Sequence, residues 1–272
     1  MDIVLYILIF IMGTVFGSFF TLATYRIPKR QDITHTRSYC PNCEHKLGFL
    51  DMIPVFSYIF LGGKCRYCKQ KISPRYLILE LLSGITFVII AYLSGLTINN
   101  LTPETLATSA FMTLYLCYIF LIGGIDRENR EIQRSVNVFG IFISIAYMVY
   151  LCIVEGASIY RYGIYLMLYI IILTLDNITL KKYAKNSYLN GIIILVIVMA
   201  IFTSEYIVIN SIICTLIAIA VYLLLYKLKN LRNRSKKTDK QVWRTLCIGY
   251  FLSVFNIINL IAVLSYYKFI IP

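Results

Sequence analysis

The stretch from residue 40 to residue 68, CPNCEHKLGFLDMIPVFSYIFLGGKCRYC, begins and ends with a Cys-x2-Cys pair. The pairs are Cys40 with Cys43 and Cys65 with Cys68. Each pair offers two thiolates from a tight turn, and two such turns complete the tetrahedral sulfur shell that Zn²⁺ accepts. Because four thiolates leave no open coordination position, the pattern predicts a structural zinc site.

Two disulfides or four free thiols are the alternatives to zinc. The charge pattern described below predicts a cytoplasmic location, which disfavours disulfides because cytosolic thiols are kept reduced. The loop that carries the cysteines, residues 26–76, is too short for a large hydrophobic core, so a metal is expected to stabilise it. The other cysteines lie singly in apolar stretches and are interpreted as packing residues: Cys117, Cys152, Cys214 and Cys247.

The sequence on both sides of this loop has the composition of a membrane protein. Of its 272 residues, 59% are hydrophobic and 14% are charged, and the mean hydropathy is +0.76. A membrane span needs about 20 apolar residues to cross about 30 Å of hydrocarbon. Eight segments are predicted to span the membrane: 3–24, 77–96, 106–125, 135–154, 162–180, 184–202, 206–226 and 246–269.

The basic residues, which give a formal charge of +13, predict the orientation of the chain. Of 26 Lys and Arg residues, 24 lie in the segments 26–75, 127–134, 181–185 and 227–244. All four segments fall on one side if the eight spans alternate, and the positive-inside rule assigns that side to the cytoplasm. Attraction to anionic lipid is a secondary interpretation, and nucleic-acid binding is not expected.

These features together predict an all-α polytopic membrane protein of about eight transmembrane helices. A small cytoplasmic four-Cys zinc-binding domain is predicted between the first and second of them. The expected division is a first transmembrane helix at 1–25, the zinc-binding domain at 26–76 and a transmembrane helical bundle at 77–272.

The residues around the cysteines resemble the type IV prepilin peptidases, also called prepilin leader peptidase/N-methyltransferases. The resemblance is close from the N-terminus to the start of the second predicted span, and the eight-span topology agrees over the rest. The matching segments are GSF at 17–19, YRIP at 25–28, CPNC at 40–43, DMIPVFSY at 51–58, GKCRYC at 63–68, ISPRY at 72–76 and ELLSG at 80–84.

The resemblance implies an intramembrane aspartyl peptidase of the bacterial inner membrane. Such an enzyme removes the leader of type IV pilin or pseudopilin precursors and then methylates the new N-terminus with S-adenosylmethionine. Its expected partners are therefore these precursors and membrane lipid. The sequence has no Gly-rich S-adenosylmethionine fingerprint, so this cofactor rests on the resemblance alone.

Two aspartates near the cytoplasmic face are catalytic in the family. Asp126, after Gly123-Gly124-Ile125, matches the first, although an interfacial ion pair with Arg127 or Arg130 is the alternative. The second is expected at the entry to span six, where Asn190 stands at a separation from Asp126 similar to that of the family's two aspartates. The family is of the Gly-x-Gly-Asp type, but this chain contains no Gly-x-Gly-Asp sequence. An Asn side chain can form hydrogen bonds, but it cannot accept and release a proton as a catalytic aspartate does.

Asp176, near the cytoplasmic end of span five, is a candidate for the second acid. An ionisable residue in a span is a functional candidate, and Asp176 could face Asp126 from a neighbouring helix. The alternative is a pairing with a nearby lysine such as Lys181. Glu80 also matches a family position, and a structural pairing with Arg75 is equally compatible with the sequence.

Because Asn190 stands where the family has its second catalytic aspartate, the sequence leaves three functions open. The first is an active peptidase and methyltransferase that uses Asp126 with an unconventional partner. The second is a methyltransferase-only member, and the third is a catalytically silent scaffold that binds pilin precursors.

Overall fold

The computed structural model describes most of the chain, which is mainly helical outside the cysteine-bearing loop. Side chains within helices at 126–129, 175–180 and 187–190, and most of those after 217, are outside the description. The described residues are 2–33, 35, 37–129, 133–180, 187–203, 205–233, 258 and 261.

Eight α-helices and two short 3-10 turns make up the described elements, and the predicted all-α class is confirmed. The turns are Phe49–Asp51 and Ile98–Asn100. The helices are α1 (Asp2–Arg26), α2 (Phe56–Phe60), α3 (Arg75–Leu93), α4 (Pro103–Asn129), α5 (Arg134–Val154), α6 (Ile159–Leu180), α7 (Ser187–Phe202) and α8 (Glu205–Asn233).

The apolar helices coincide with the first seven predicted spans. Four of them, α1, α3, α5 and the Pro103–Ile125 part of α4, are long and apolar enough to cross a membrane. The described parts of α6, α7 and α8 contain shorter apolar segments. The eighth predicted span, 246–269, lies outside the described residues except for Ile258 and Ile261, which are helical. The chain is therefore a multi-pass membrane protein.

The chain divides into two compact units, Met1–Thr113 and a second that begins at Leu114. In the first unit, α1 and α3 are antiparallel neighbours. The Tyr6 hydroxyl donates to the Leu96 carbonyl at 3.1 Å, close to the end of α3. The backbone N–H of Ile98 donates to the carboxylate of Asp2 at 2.9 Å. The cysteine-bearing loop therefore leaves α1 and enters α3 at the same end of this helix pair.

Glycines let the backbones of α1 and α3 approach closely. A Cβ added to Gly13 would lie 2.9 Å from Gly84 Cα, and one on Gly17 would lie 2.8 Å from Glu80 Cα. A Cβ on Gly84 would in turn lie 2.8 Å from the Phe10 ring. Small residues four positions apart lie on one helix face and support van der Waals packing between membrane helices. The pair is thus held by close backbone contact.

Aromatic rings fill the core of the second unit. Phe202 of α7 stacks between Tyr115 of α4 and Tyr147 of α5, with ring centroids 4.5 and 4.6 Å apart. Gly140 of α5 packs against the buried Tyr118 ring, which a Cβ at this position would overlap. These contacts join three apolar helices into one packed core.

The helices α6 and α8 begin on the same side of the second unit. Arg161 donates from Nε and Nη2 to the Glu205 carboxylate at 3.0 and 2.9 Å. The Tyr165 hydroxyl donates to the same carboxylate at 2.7 Å. Since both helices start at this cluster, they run in the same direction, as an alternating topology requires for spans five and seven.

Candidate metal centre

The structure brings the four predicted zinc ligands together. Their sulfur atoms all lie within 4.8 Å of one another, and Cys40 Sγ is 3.8 Å from Cys68 Sγ. A tetrahedron with Zn–S bonds of about 2.3 Å has edges of about 3.8 Å. A disulfide needs sulfurs about 2.05 Å apart, so the arrangement fits a shared ion and not two disulfides. The residues that could hold the ion are Cys40, Cys43, Cys65 and Cys68.

The two cysteine turns have the same backbone structure. Each turn is closed by an isolated antiparallel bridge, Tyr39 with Lys46 and Lys64 with Lys71. Each contains two equivalent hydrogen bonds, so the pair of turns forms two matching zinc knuckles. The bonds are Cys40 N to His45 O (3.0 Å), Glu44 N to Cys40 O (2.8 Å), Cys65 N to Gln70 O (2.8 Å) and Lys69 N to Cys65 O (3.0 Å).

One residue in each knuckle adopts a left-handed backbone conformation. Glu44 has a φ of 54° and Lys69 a φ of 59°. This region is uncommon for residues other than glycine, because the Cβ crowds the backbone. Both residues directly follow the second cysteine of a pair, so the conformation turns the chain back after the second thiol.

Hydrogen bonds to sulfur favour the thiolate form that a zinc ion requires. The backbone N–H of Gln70 and then the side-chain amide of Asn42 lower the pKa of Cys68 to about 6. Asn42 Nδ2 lies 3.6 Å from the Cys68 sulfur and so connects the two knuckles. The backbone N–H of Cys43 lowers the pKa of Cys40 in the same way. The backbone therefore prepares these thiols for deprotonation.

Cys43 illustrates why a cation suits this cluster. The backbone N–H of His45 lowers the pKa of Cys43, but desolvation and the neighbouring thiols Cys40 and Cys68 raise it to about 11. Adjacent like charges disfavour further ionisation. A divalent cation at the centre would offset this repulsion, so the cluster suits a metal ion.

Asp51 fastens the segment between the knuckles to the second knuckle. Its Oδ1 accepts from Arg66 Nε at 2.6 Å, and its Oδ2 accepts from the Gly48 backbone at 3.1 Å and the Tyr67 hydroxyl at 3.4 Å. Desolvation raises the pKa of Asp51, but Arg66 and the Gly48 amide outweigh this and hold it below its usual value. The His45 ring lies 3.5 Å from the Tyr67 ring and adds a contact between knuckles.

Glu80 connects the cysteine-bearing loop to the membrane helices. Its carboxylate is buried within α3 and accepts from the Val55 backbone N–H at 2.8 Å. Val55 has a φ of 65° and a ψ of −54°, and the Phe56 N–H bonds to the Pro54 carbonyl at 2.7 Å. This is a γ-turn with a positive φ, a strained conformation for a β-branched residue. The buried carboxylate therefore stabilises a strained turn in the preceding loop.

Arg26 closes the other end of the loop. The guanidinium lies at the end of α1, is buried, and donates to the Asp32 carbonyl at 2.9 Å and the Arg37 carbonyl at 3.3 Å. Sequence reasoning did not predict the role of Arg26, and for Glu80 it predicted a family position or a pairing with Arg75, not this contact with the loop backbone. The available signal was the position of one charged residue at each boundary between an apolar span and the loop.

The family comparison covers this same region. Residues 11–94 match the family model for the bacterial peptidase A24 N-terminal domain. Over this N-terminal region, the chain is similar to the bacterial peptidase A24 family. The match includes α3, most of α1 and the whole loop with its four cysteines, and the resemblance predicted from the motifs is confirmed.

Proteins named prepilin leader peptidase/N-methyltransferase are similar to this chain. One from Vibrio cholerae is 40% identical over 100 residues, 34% of this chain and 38% of the relative. One from Myxococcus xanthus is 32% identical over 140 residues, 52% and 39% of the two chains. One from Bacillus subtilis is 35% identical over 92 residues, which are 34% of this chain and 37% of the relative. The chain thus spans about two fifths of the length of these relatives. No solved structure matches.

The three residues predicted for peptide cleavage lie beyond the family match. The backbones of Asp126, Asp176 and Asn190 are helical, in α4, α6 and α7. Their side chains lie outside the described part of the structure. The acid pair therefore stays a prediction, as does the substitution of the second acid by Asn190.

Proposed function

We propose that this chain is a bacterial inner-membrane enzyme that cleaves the leader from type IV pilin or pseudopilin precursors and methylates the new N-terminus. The observation that carries the proposal is the family match over residues 11–94, which includes a complete four-thiol centre. The names of the relatives specify both reactions.

The proposed orientation has the zinc-binding loop in the cytoplasm. The four basic segments support it, because Lys and Arg are retained on that side of the membrane. Parallel α6 and α8 agree with the alternation of spans on which the assignment depends. A precursor would then have its apolar helix against the bundle and its leader beside the basic loops.

Leader cleavage would use two acidic groups near the cytoplasmic ends of the helices. One carboxylate takes a proton from water while the other gives a proton to the scissile carbonyl oxygen, and the pair shares one proton between them. We assign one role to Asp126 and the other to Asp176. Asn190 can donate a hydrogen bond to the developing oxyanion, but it cannot exchange the proton.

Zinc and S-adenosylmethionine have different parts in the proposal. Zinc, held by Cys40, Cys43, Cys65 and Cys68, would fold the loop, because its donor set leaves no position open for a substrate. S-adenosylmethionine supplies the methyl group when it is bound. The residues that hold it are not assigned.

The experiment that tests the peptidase proposal uses the full-length chain in lipid vesicles with a type IV pilin precursor. Mass spectrometry of the precursor should show loss of the leader. Asp126→Asn should reduce the rate by at least about 10²-fold, the scale of general acid–base catalysis. Glu128→Gln, which removes an acid from the same part of α4, is the matched control and should retain activity. An inactive wild type with zinc bound would contradict the proposal.

Two further variants test the choice of the second acid. Asp176→Asn should lower the cleavage rate as severely as Asp126→Asn if the two groups act as one pair. Adding Asn190→Asp to the Asp176→Asn variant should not restore cleavage. If Asp176→Asn is fully active and Asn190→Asp accelerates cleavage, the assignment of Asp176 is wrong and position 190 is the second site.

The substitution at Asn190 favours one second candidate, a member that retains only methyl transfer. Labelled S-adenosylmethionine and an already processed pilin separate the possibilities. Transfer of label without leader cleavage identifies a methyltransferase-only member. Binding of the precursor with neither reaction identifies a scaffold.

A further inference from the structure

The segment between the two knuckles exposes a cluster of large hydrophobic side chains, which we call the apolar edge. Its most exposed members are Phe49 at 80% and Phe60 at 83% of their surface. Exposed apolar clusters of this kind mark contacts with proteins or membranes. The apolar edge consists of Phe49, Leu50, Phe56, Ile59 and Phe60.

The short helix α2 is amphipathic. Phe56, Ile59 and Phe60 stand at positions i, i+3 and i+4, which lie on one face of a helix. Tyr58 lies on another face and donates from its hydroxyl to the Ile72 carbonyl at 3.3 Å, beside the second knuckle. One side of α2 is therefore bound to the loop, and the apolar side has no cover among the described residues.

The contact between Val55 and Glu80 fixes the position of α2 along the axis of the membrane helix α3. Val55 directly precedes α2, and its N–H lies 2.8 Å from the Glu80 carboxylate. Glu80 is five residues after Arg75, the first residue of α3, or about 7.5 Å along the helix axis at about 1.5 Å per residue. Since α3 is apolar enough to span a membrane, α2 begins level with the second turn of a membrane helix.

The charge of the loop suits a surface of anionic lipid. Residues 26–75 contain ten Lys and Arg residues but only three acids, Asp32, Glu44 and Asp51. Basic residues close to a membrane attract the anionic headgroups, and apolar side chains beside them enter the boundary with the acyl chains. The apolar edge and the basic loop thus have the two properties of an interfacial membrane anchor.

We propose that the apolar edge inserts into the adjoining leaflet of the membrane. Phe49, Leu50, Phe56, Ile59 and Phe60 enter the headgroup and acyl boundary, and the basic residues of the loop contact anionic headgroups. The zinc-binding loop is then held on the membrane surface at three points, α1, α3 and the edge. This anchor does not depend on the proposed cleavage or methyl transfer.

Fluorescence quenching by brominated lipid tests the insertion. The full-length chain carries Trp243→Phe, which removes its single Trp, together with Phe60→Trp, in vesicles of phosphatidylglycerol and phosphatidylcholine brominated near the headgroup end of the acyl chains. The Phe60→Trp emission should be strongly quenched relative to the same vesicles without bromine, because the side chain lies in the boundary between headgroups and acyl chains. Tyr39→Trp, an exposed aromatic of the first knuckle, is the matched control and should be quenched little.

Phe49→Trp is a second reporter on the other part of the apolar edge and should behave like Phe60→Trp. Quenching no greater than that of Tyr39→Trp in both reporters would overturn the proposal. A blue shift that occurs only when a pilin precursor is added would overturn it too, because the edge would then be a protein-docking surface. Quenching should weaken in purely neutral vesicles, and equal quenching would contradict the role given to the basic residues.

Discussion

The zinc-binding loop and the α1–α3 pair lie in the same unit but are stabilised in different ways. Among the described residues between 27 and 74, only Cys40, Gly63 and Cys65 are buried, and two of these belong to the four-thiol cluster. The helix pair buries residues along its length, including Gly13, Gly17 and Gly84, where the backbones touch. The loop therefore has a four-thiol cluster, suited to a metal ion, in place of a hydrophobic core.

Because of this difference, the two regions should lose their structure independently of each other. Loss of the metal should unfold the loop and leave the helices paired, whereas a bulky residue between the helices should weaken the pair and spare the metal. The contacts of Glu80 with Val55, and of Arg26 with the loop carbonyls, are described bonds through which one region affects the other.

The largest effect is expected from the pair of substitutions Cys65→Ser and Cys68→Ser. Zinc content should fall from about one ion per chain to nearly none, because binding of a structural zinc contributes about 10–16 kcal/mol to folding in small modules. Residues 27–74 should become sensitive to protease while helicity by circular dichroism is retained. Cys117→Ser, which removes a buried thiol elsewhere, is the control and should keep its zinc. Full zinc content in the double variant would refute the assigned ligands.

The reverse failure is expected for Gly17→Leu. A side chain here would overlap α3 backbone at Glu80, and overpacking of this kind costs about 3 kcal/mol. The melting temperature of the full chain should fall while the zinc content stays the same. Gly163→Leu is a matched control in α6, because a Cβ there meets no atom within 4 Å. Equal melting temperatures for the two variants would show that close helix contact is not what holds the pair.

Glu80→Ala should affect both regions. It leaves the Val55 N–H without its acceptor, a loss of about 2 kcal/mol for a buried donor. Hydrogen exchange at Val55 should accelerate, and the melting temperature should fall by less than for Gly17→Leu. Glu80→Gln keeps a carbonyl acceptor at this position and should recover most of the stability. If Glu80→Gln is as damaging as Glu80→Ala, the charge of Glu80 matters for something other than this bond.

The smallest effect is expected at Asp51, and it should depend on pH. Asp51→Asn should cost about 1 kcal/mol, typical of a single hydrogen-bonded contact. Because Arg66 and Gly48 lower the folded-state pKa of Asp51, its contribution is complete above the unfolded-state value of about 3.9. That contribution is lost as the pH falls through the lowered folded-state pKa. The stability difference between wild type and Asp51→Asn should therefore shrink in acid.

The sequence was sufficient to predict the features that depend on local spacing or on length. The zinc ligands follow from two short Cys-x2-Cys turns, and the spans follow from apolar runs of about 20 residues. Gly13 and Gly17 are four residues apart, a spacing typical of close packing between membrane helices. Helix α8 continues past the predicted span 206–226 into the basic segment, as far as Asn233.

Features that depend on distant contacts could not be predicted in this way. No periodic pattern indicates that Glu80 would meet the backbone of Val55, or that a β-branched residue would adopt a positive φ. The identity of the second acid that would act with Asp126 also depends on contacts between residues distant in the sequence. It depends on which side chains of other helices come within reach, and linear spacing from Asp126 to Asp176 or Asn190 does not determine that.

The most direct test of the account measures zinc content and leader cleavage on one preparation of the full-length chain. We expect about one zinc ion per chain, a precursor shortened by its leader, and loss of cleavage with retained zinc in Asp126→Asn. A wild-type chain that binds zinc, is folded and leaves the precursor intact would contradict the proposed peptidase.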